Sequence, residues 1–169
     1  MTLRLILVRH AKSDWDDPFA DDHDRVLNKR GRASAPLMGR FLATHGHRPS
    51  LVVSSTARRT LETWDRMAPA FGSDLPPLRP EPSLYHASAA RMMRVLQSCV
   101  PPTVMILGHN PGISDFAQQL LAQIPRHPRF RDFPTCATMV AGFDIPRWSD
   151  LRPGIGKVID FAIPADMTD

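Results

Sequence analysis

The length, composition and charge of the chain predict a single globular domain over residues 1–169. With 43% hydrophobic and 22% charged residues, 169 residues can bury one core and are too few for two comfortable ones. A net charge of +4 is far too small to indicate a nucleic-acid-binding protein, and no apolar run approaches the length of a membrane span. The short N-terminal apolar run leads straight into charged residues and shows no cleavable signal, so we expect a cytoplasmic protein with no membrane or nucleic-acid partner.

The first predicted element is a strand buried on both faces. Residues 5–8 form a continuous apolar run that stops on adjacent Arg9 and His10. A cation and a titratable ring at this position are costly unless a ligand or an ion pair uses them. After an irregular, proline-broken stretch, Asn28 is expected to cap an amphipathic helix that ends near Gly46.

The middle of the chain repeats the alternation of strand and helix. The apolar run 51–55 predicts a second strand that ends on serine hydroxyls, and Thr56 is expected to cap the helix that carries Arg58 and Arg59. Residues 78–88 predict a short extended piece and a turn, and a helix follows from about Ser88 to Cys99.

The last third of the chain begins with the clearest strand-to-helix pattern. Residues 103–108 predict a buried strand, and a turn leads into a helix from Ser114 to Gln123. The basic segment 125–134 is interpreted as a loop, with contact to a partner protein left open. Residues 136–145 and 156–164 predict two late strands that form a hairpin-like pair. The alternation predicts an α/β fold, a three-layer α/β/α sandwich with a mostly parallel central sheet.

Three of the predicted strands end in polar residues that suit an anion. These are Arg9 with His10, then Ser54 and Ser55 with arginines in the next helical turn, and finally Gly108, His109 and Asn110. In a parallel sheet these carboxyl ends share one edge and can converge. A single such arginine is more often a surface ion-pair partner, and a single histidine is more often structural. Their joint occurrence favours a phosphoryl site, because guanidinium groups and helix N-termini bind phosphate oxygens.

The segments VRHAKS, SSTARRTLET and LGHNPG resemble the three signature stretches of the histidine phosphatase superfamily, which has the phosphoglycerate-mutase-like fold. The chain is similar in particular to the short SixA-type phosphohistidine phosphatases. The resemblance implies catalytic roles for four residues and substrate contacts for two more. The catalytic residues are His10 as nucleophile, Arg9 as its neighbouring phosphate clamp, Arg59 (four residues before Thr63, with Arg58 facing elsewhere) and His109; the substrate-binding residues are Asn110 and Ser55.

The chain departs from the family pattern at two points. The usual glycine after the Arg-His pair is Ala11, which fits if the backbone there avoids positive φ. The second point is the general acid, for which the family's glutamate position falls on or near His86, with Glu81 and Asp14 as other candidates.

The resemblance implies a phosphatase that needs no metal or cofactor and forms a covalent phosphohistidine on His10. An imidazole leaving group, with a pKa of about 6.5, departs without a strong acid, so a pocket lacking a firm carboxylic acid favours phosphohistidine on a signalling protein. A small-molecule phosphoester phosphatase on the same scaffold and a non-catalytic module that binds phosphorylated protein are the alternatives. The carboxylate-rich segment DWDDPFADDHD has no metal-site spacing and is interpreted as a solvated loop, in which Asp24 and Arg25 hold the pocket loop by hydrogen bonds.

Overall fold

The computed structural model describes residues 2–167, and the strands in this range form one mixed six-stranded sheet. In chain order the strands are β1 (Leu3–Arg9), β2 (Leu51–Ser54), β3 (Leu78–Pro80), β4 (Thr103–Gly108), β5 (Thr138–Phe143) and β6 (Lys157–Ala162). Their order across the sheet is β3-β2-β4-β1-β5-β6. The first four strands in this order run parallel, whereas β5 is antiparallel to both of its neighbours. The predicted α/β fold with a mostly parallel sheet is confirmed.

Helices cover both faces of the sheet. They are α1 (Lys29–Thr44), α2 (Arg58–Met67), α3 (Ala89–Gln97) and α4 (Gly112–Leu120), with 3₁₀ turns at Asp22–Asp24, Ala68–Phe71, Pro82–Leu84, Trp148–Asp150 and Pro164–Met167. The predicted cap of α1 is present, because the Asn28 side chain accepts a hydrogen bond from the amide of Gly31 at 2.9 Å. Within residues 2–167, no helix is long and apolar enough to cross a membrane.

The predicted starts of two helices were wrong. Thr56 does not cap α2, because its hydroxyl lies 2.9 Å from a ring nitrogen of His23. The N-cap of α2 is instead Ala57, whose side chain offers no acceptor. Helix α4 begins two residues before Ser114, and the amide of Ile113 already donates to the His109 carbonyl at 2.9 Å.

The alternation of side chains along β1 divides the core into two layers. Leu5 and Leu7 belong to the cluster under α3 and α4, whereas Ile6 and Val8 belong to the cluster under α1 and α2. All four are fully buried, and burying each such side chain contributes about 1.5–3 kcal/mol. Because successive residues of a strand alternate between faces, this core fixes the direction in which the strand delivers its final residues.

Candidate active site

The carboxyl ends of β1, β4 and β2 lie side by side at one edge of the sheet. Arg9 pairs with Gly108, and Ser54 pairs with Leu107. The residues that follow the three strands therefore meet, and the rings of His10 and His109 stand 5.4 Å apart between centroids. Only 6% of His10 and 4% of His109 are exposed. The predicted convergence of three strand ends is present in the structure.

The chain itself fixes the tautomer of His10. Its Nδ1 lies 2.7 Å from the carbonyl oxygen of Ala11, and because a carbonyl only accepts, Nδ1 carries the hydrogen. Burial, reinforced by the positive charges of Arg9 and Arg59 and opposed by that carbonyl, lowers the pKa of His10 to about 3. At neutral pH the ring is therefore uncharged, with its lone pair on Nε2.

A chain of hydrogen bonds ties the His10 turn to helix α2. The amide of Ala11 donates to the hydroxyl of Thr63 at 3.0 Å, and that hydroxyl donates to the Arg59 carbonyl at 2.7 Å. Ala11 is fully buried, and its φ is not positive. The backbone at this position therefore accepts an alanine in place of the family's usual glycine. Thr63 thus links the turn that carries His10 to the helix that carries Arg59.

Helix α2 buries Arg59 and leaves Arg58 exposed, which matches the expectation that the two arginines face different ways. The Arg59 guanidinium donates to the backbone oxygen of Asp22 at 2.6 Å and to its carboxylate at 3.1 Å. The Nε of Arg59 is buried and has no hydrogen-bond partner within residues 2–167. Arg59 therefore keeps one donor free for a ligand.

Asp22 is the site residue that sequence reasoning missed. Its carboxylate accepts hydrogen bonds from Arg25 at 3.0 and 3.1 Å and from the Tyr85 hydroxyl at 2.5 Å, and it lies 3.3 Å from Nε2 of His86. Burial opposes ionisation, but the hydrogen bonds from Tyr85 and Arg25 and the charge of Arg59 hold the pKa of this carboxyl well below its usual range. The spacing of Asp22 and Arg25, three residues apart, was the signal available in the sequence.

Asp24 and Arg25 were predicted to hold the pocket loop, and in the structure Arg25 makes this contact. Its guanidinium binds both Asp22 and the hydroxyl of Ser13. The Asp24 carboxylate lies 3.7 Å from Nδ1 of the adjacent His23 on the surface.

Ser55 holds His109 rather than lying open to a ligand. Its hydroxyl is fully buried, lies 2.8 Å from Nε2 of His109 and accepts the amide of Ala57 at 3.2 Å. Burial, reinforced by the nearby His10 and Arg59, lowers the pKa of His109 to about 2. His109 is therefore neutral in the free protein, and it can serve an anion as a hydrogen-bond donor.

Arg9 completes the cluster from the other side of the strand. Its guanidinium donates to the Phe133 carbonyl at 3.1 Å, and burial together with the nearby Arg59 lowers its pKa. Its Nε is buried and has no hydrogen-bond partner in the part of the chain that the structure describes, and the same holds for Nε of Arg59 and Nδ1 of His109. These three nitrogens belong to residues that end or follow three different strands, and burying them is costly unless an anion accepts from them. The cluster is therefore suited to a phosphoryl group.

Three further residues predicted for the site, Asn110, Asp14 and Glu81, make their contacts with a loop or within their own segments. The Asn110 amide donates to the carbonyls of Asp132 and Phe133 at 2.9 and 3.1 Å, so its side chain braces a loop. The Asp14 carboxylate accepts the amide of Asp16 at 2.7 Å, and Glu81 contacts Ser83 and Arg79; these bonds are local to their own segments.

His86 is the general-acid candidate that the structure brings to the cluster. Its ring centroid lies 5.7 Å from that of His109 and 4.0 Å from that of Tyr85. Its side chain is 57% exposed, and its backbone adopts a φ of 54°. Within residues 2–167, no three His, Cys, Asp or Glu side chains are placed to hold a metal ion together, the DWDDPFADDHD segment included.

The fold and this cluster of histidines and arginines define a phosphoryl-transfer protein of the histidine phosphatase type. A sequence model of the histidine phosphatase superfamily (branch 1) matches residues 5–95, and the chain belongs to this family.

Relatives and solved structures agree with this membership. The chain is 37% identical over 127 residues to an uncharacterized chloroplastic protein of Arabidopsis thaliana, covering 69% of this chain and 58% of that protein, so it spans less than two thirds of that relative. It is 30% identical over 167 residues to an uncharacterized Mycobacterium tuberculosis protein, covering 93% and 99% of the two chains. A crystal structure of the "putative phosphohistidine phosphatase SixA" from Agrobacterium tumefaciens superposes with a TM-score of 0.78 at 27% identity, covering 96% and 98%.

Proposed function

We propose that this protein is a phosphatase that removes the phosphoryl group from phosphohistidine on a signalling protein, through a covalent phosphohistidine on His10. The observation that carries the proposal is the state of His10. The ring is buried, uncharged and held by the Ala11 carbonyl in the tautomer that leaves Nε2 unprotonated. A neutral imidazole nitrogen beside two arginines is a nucleophile for phosphorus.

In the first step, the Nε2 lone pair of His10 attacks phosphorus in line, and the bond from phosphorus to the substrate nitrogen breaks. In the second step, a water oxygen attacks phosphorus, the bond to Nε2 breaks and inorganic phosphate leaves. The water loses its proton as this bond forms, and the substrate imidazole has taken up one proton. Atoms and charge therefore balance over the cycle without a cofactor.

Arg9, Arg59 and His109 stabilise the charge on the three equatorial oxygens in both steps. Their unpartnered nitrogens offer hydrogen-bond donors whose positions the fold sets before the substrate binds. Preorganised donors of this kind commonly account for about 10²–10³-fold each in rate. Asp22 holds the Arg59 guanidinium in place through two hydrogen bonds.

The leaving-group side of the site favours a phosphorus–nitrogen bond. The candidate that lies there is His86, which is largely exposed and whose recorded ion-pair partner is Asp22. Glu81, the carboxylic candidate on the same segment, is engaged by Arg79 and Ser83. An alkoxide leaves poorly without a strong acid, whereas imidazole leaves readily. His86 near Asp22 is the observation that keeps a small phosphoester phosphatase as the second candidate function.

The proposal is tested by trapping the intermediate. Wild-type protein and His10→Ala are incubated with phosphohistidine peptide labelled on phosphorus, quenched in alkali and analysed for protein-bound label. We expect acid-labile, alkali-stable label on wild type alone. His86→Ala serves as the matched variant, because its side chain neighbours the site without contacting His10 in the hydrogen-bond network.

The outcomes separate the candidate functions. Label on His10 with rapid turnover of phosphohistidine and slow turnover of sugar phosphates supports the proposal. If His86→Ala abolishes turnover of alkyl phosphates and these are the better substrates, the small-phosphoester function is correct. Tight binding of phosphopeptide with neither label nor turnover would identify a non-catalytic phosphoprotein-binding module.

A further inference from the structure

A second cleft lies on the same edge of the sheet as the His10 cluster. Strand β5 begins beside Val8, and β6 ends opposite the first residue of β5, so the segments next to these ends lie at the edge where β1 delivers Arg9. The cleft has a volume of about 450 Å³ and is bounded by the N-terminal part of α1, the loop 129–135 and the segment 163–165. Arg9 lines it, and none of His10, Arg59 and His109 does. Arg9 therefore stands between the phosphoryl site and the cleft.

The cleft carries a strong excess of positive charge. Four cationic side chains line it, namely Arg9, Lys12, Arg30 and Arg129, against the single carboxylate of Asp132. That carboxylate pairs with Arg129 at 3.0 Å. Lys12 and Arg30 are exposed, and neither side chain makes a hydrogen bond or an ion pair with any residue between 2 and 167. Two cations that have no partner among the described residues thus face one cavity beside Arg9.

The rest of the cleft wall is apolar or weakly polar. Pro134, Ile163 and Pro164 line it together with small side chains. A volume of this size exceeds what one phosphate group needs. A peptide whose carboxylates contact Lys12 and Arg30, and whose apolar atoms contact the prolines of the wall, would complement both kinds of surface.

We propose that this cleft binds an acidic segment of the phosphoprotein substrate while the phosphoryl group occupies the His10 cluster. The proposal rests on the proposed function, and it assigns to the substrate a carboxylate-bearing stretch next to the phosphorylated residue. Arg9 contributes to both sites, so an occupied cleft aligns the substrate along the edge of the sheet from β2 to β6. Lys12 and Arg30 are specificity residues that read the acidic segment and take no part in the chemical step.

The test compares two phosphohistidine peptides that differ in their flanks. One carries glutamates beside the phosphorylated residue and the other carries glutamines in their place. The variant Lys12→Gln with Arg30→Gln removes the two unpartnered cations of the cleft. The matched control, Arg40→Gln with Lys157→Gln, removes two exposed cations that lie away from the cleft.

Wild type is expected to favour the glutamate peptide in kcat/KM, mainly through KM, because two exposed ion pairs contribute about two- to thirtyfold. The cleft variant is expected to lose this preference, and the control pair is expected to keep it. Raising the salt concentration to 0.5 M should weaken the preference in wild type, since exposed charges are screened. Hydrolysis of phenyl phosphate should be unchanged in both variants.

The assignment of Lys12 and Arg30 would be overturned if the cleft variant lost kcat/KM equally on both peptides. It would also be overturned if the control variant lost the preference for the glutamate peptide to the same extent. A dependence on these residues for a small bisphosphate and not for the peptide would show that the occupant is a small molecule. Fluorescence anisotropy with unphosphorylated labelled peptides separates this proposal from the proposed function. If the unphosphorylated glutamate peptide binds in a manner that depends on Lys12 and Arg30, and neither phosphohistidine peptide is hydrolysed, the phosphatase is refuted and the cleft assignment stands.

Discussion

The uncharged state of His10 makes the folded protein sensitive to acid, and this sensitivity can be measured. The folded protein keeps the pKa of His10 at about 3, whereas an unfolded chain has a histidine pKa of about 6.5. Between these two values the unfolded state binds more protons than the folded state, so the free energy of unfolding falls as the pH falls. The contribution of His10 is fully present above about pH 6.5 and is lost progressively toward pH 3.

The magnitude follows from the two pKa values. Lowering the pH from 7 to 4.5 should cost about 2.5 kcal/mol through His10 alone. The assay is urea unfolding of wild type and of His10→Gln at the two pH values in phosphate-free buffer, because phosphate would bind the folded state. The glutamine side chain can still donate to the Ala11 carbonyl, so the variant removes the titration and keeps a donor in the pocket.

We expect the wild type to lose about 2.5 kcal/mol more than His10→Gln over this pH interval. Carboxylates and the other histidines titrate in both proteins, so their effects largely cancel in the comparison. Equal losses in the two proteins would refute the reasoning, because they would mean that His10 accepts a proton in the folded state as easily as in the unfolded chain.

Three further predictions concern the contacts that surround His10. Ser55→Ala should lower kcat and should reduce the free energy of unfolding by no more than about 1–2 kcal/mol, because a ring nitrogen of His109 loses its partner. Phosphate-release kinetics measure the change in kcat. Thr63→Val should lower the free energy of unfolding by about 1–3 kcal/mol, because the buried Ala11 amide loses its acceptor; urea unfolding measures it, and recovery in Thr63→Ser would be expected. Gly112→Ala should destabilise the fold strongly, because the added Cβ would lie 1.9 Å from a backbone oxygen, and a melting temperature equal to that of wild type would contradict the described packing.

Local sequence could predict the site residues that directly follow buried strands. The apolar run before Arg9 and His10, the run before Ser55 and the run before His109 each identify a buried strand, and a parallel sheet brings their ends together. Arg59 followed from its position four residues before Thr63 in a motif that resembles the family pattern. Hydrophobic periodicity and short motifs are local, so one sequence carries them in full.

Other features of the site depend on contacts between distant segments. Asp22 reaches Arg59 across 37 residues and Tyr85 across 63 residues, and nothing in the spacing of these residues indicates that they meet. Asn110 stands beside His109 in the chain, yet its amide braces the loop before β5. The directions of these side chains depend on packing between layers, which the order of residues along the chain does not state.

Local sequence patterns predict the strands, their burial on both faces and the polar residues that follow three of them, and they place Arg59 on the helix after the second strand. The contacts of these residues come from the packed fold: the Ala11 carbonyl sets the His10 tautomer, and the Asp22 carboxylate holds Arg59. It also brought α1, the loop 129–135 and the end of β6 together around one basic cleft. Strand formation follows from short continuous runs of apolar side chains, whereas tautomers, pKa shifts and clefts arise from groups that meet only when the layers pack.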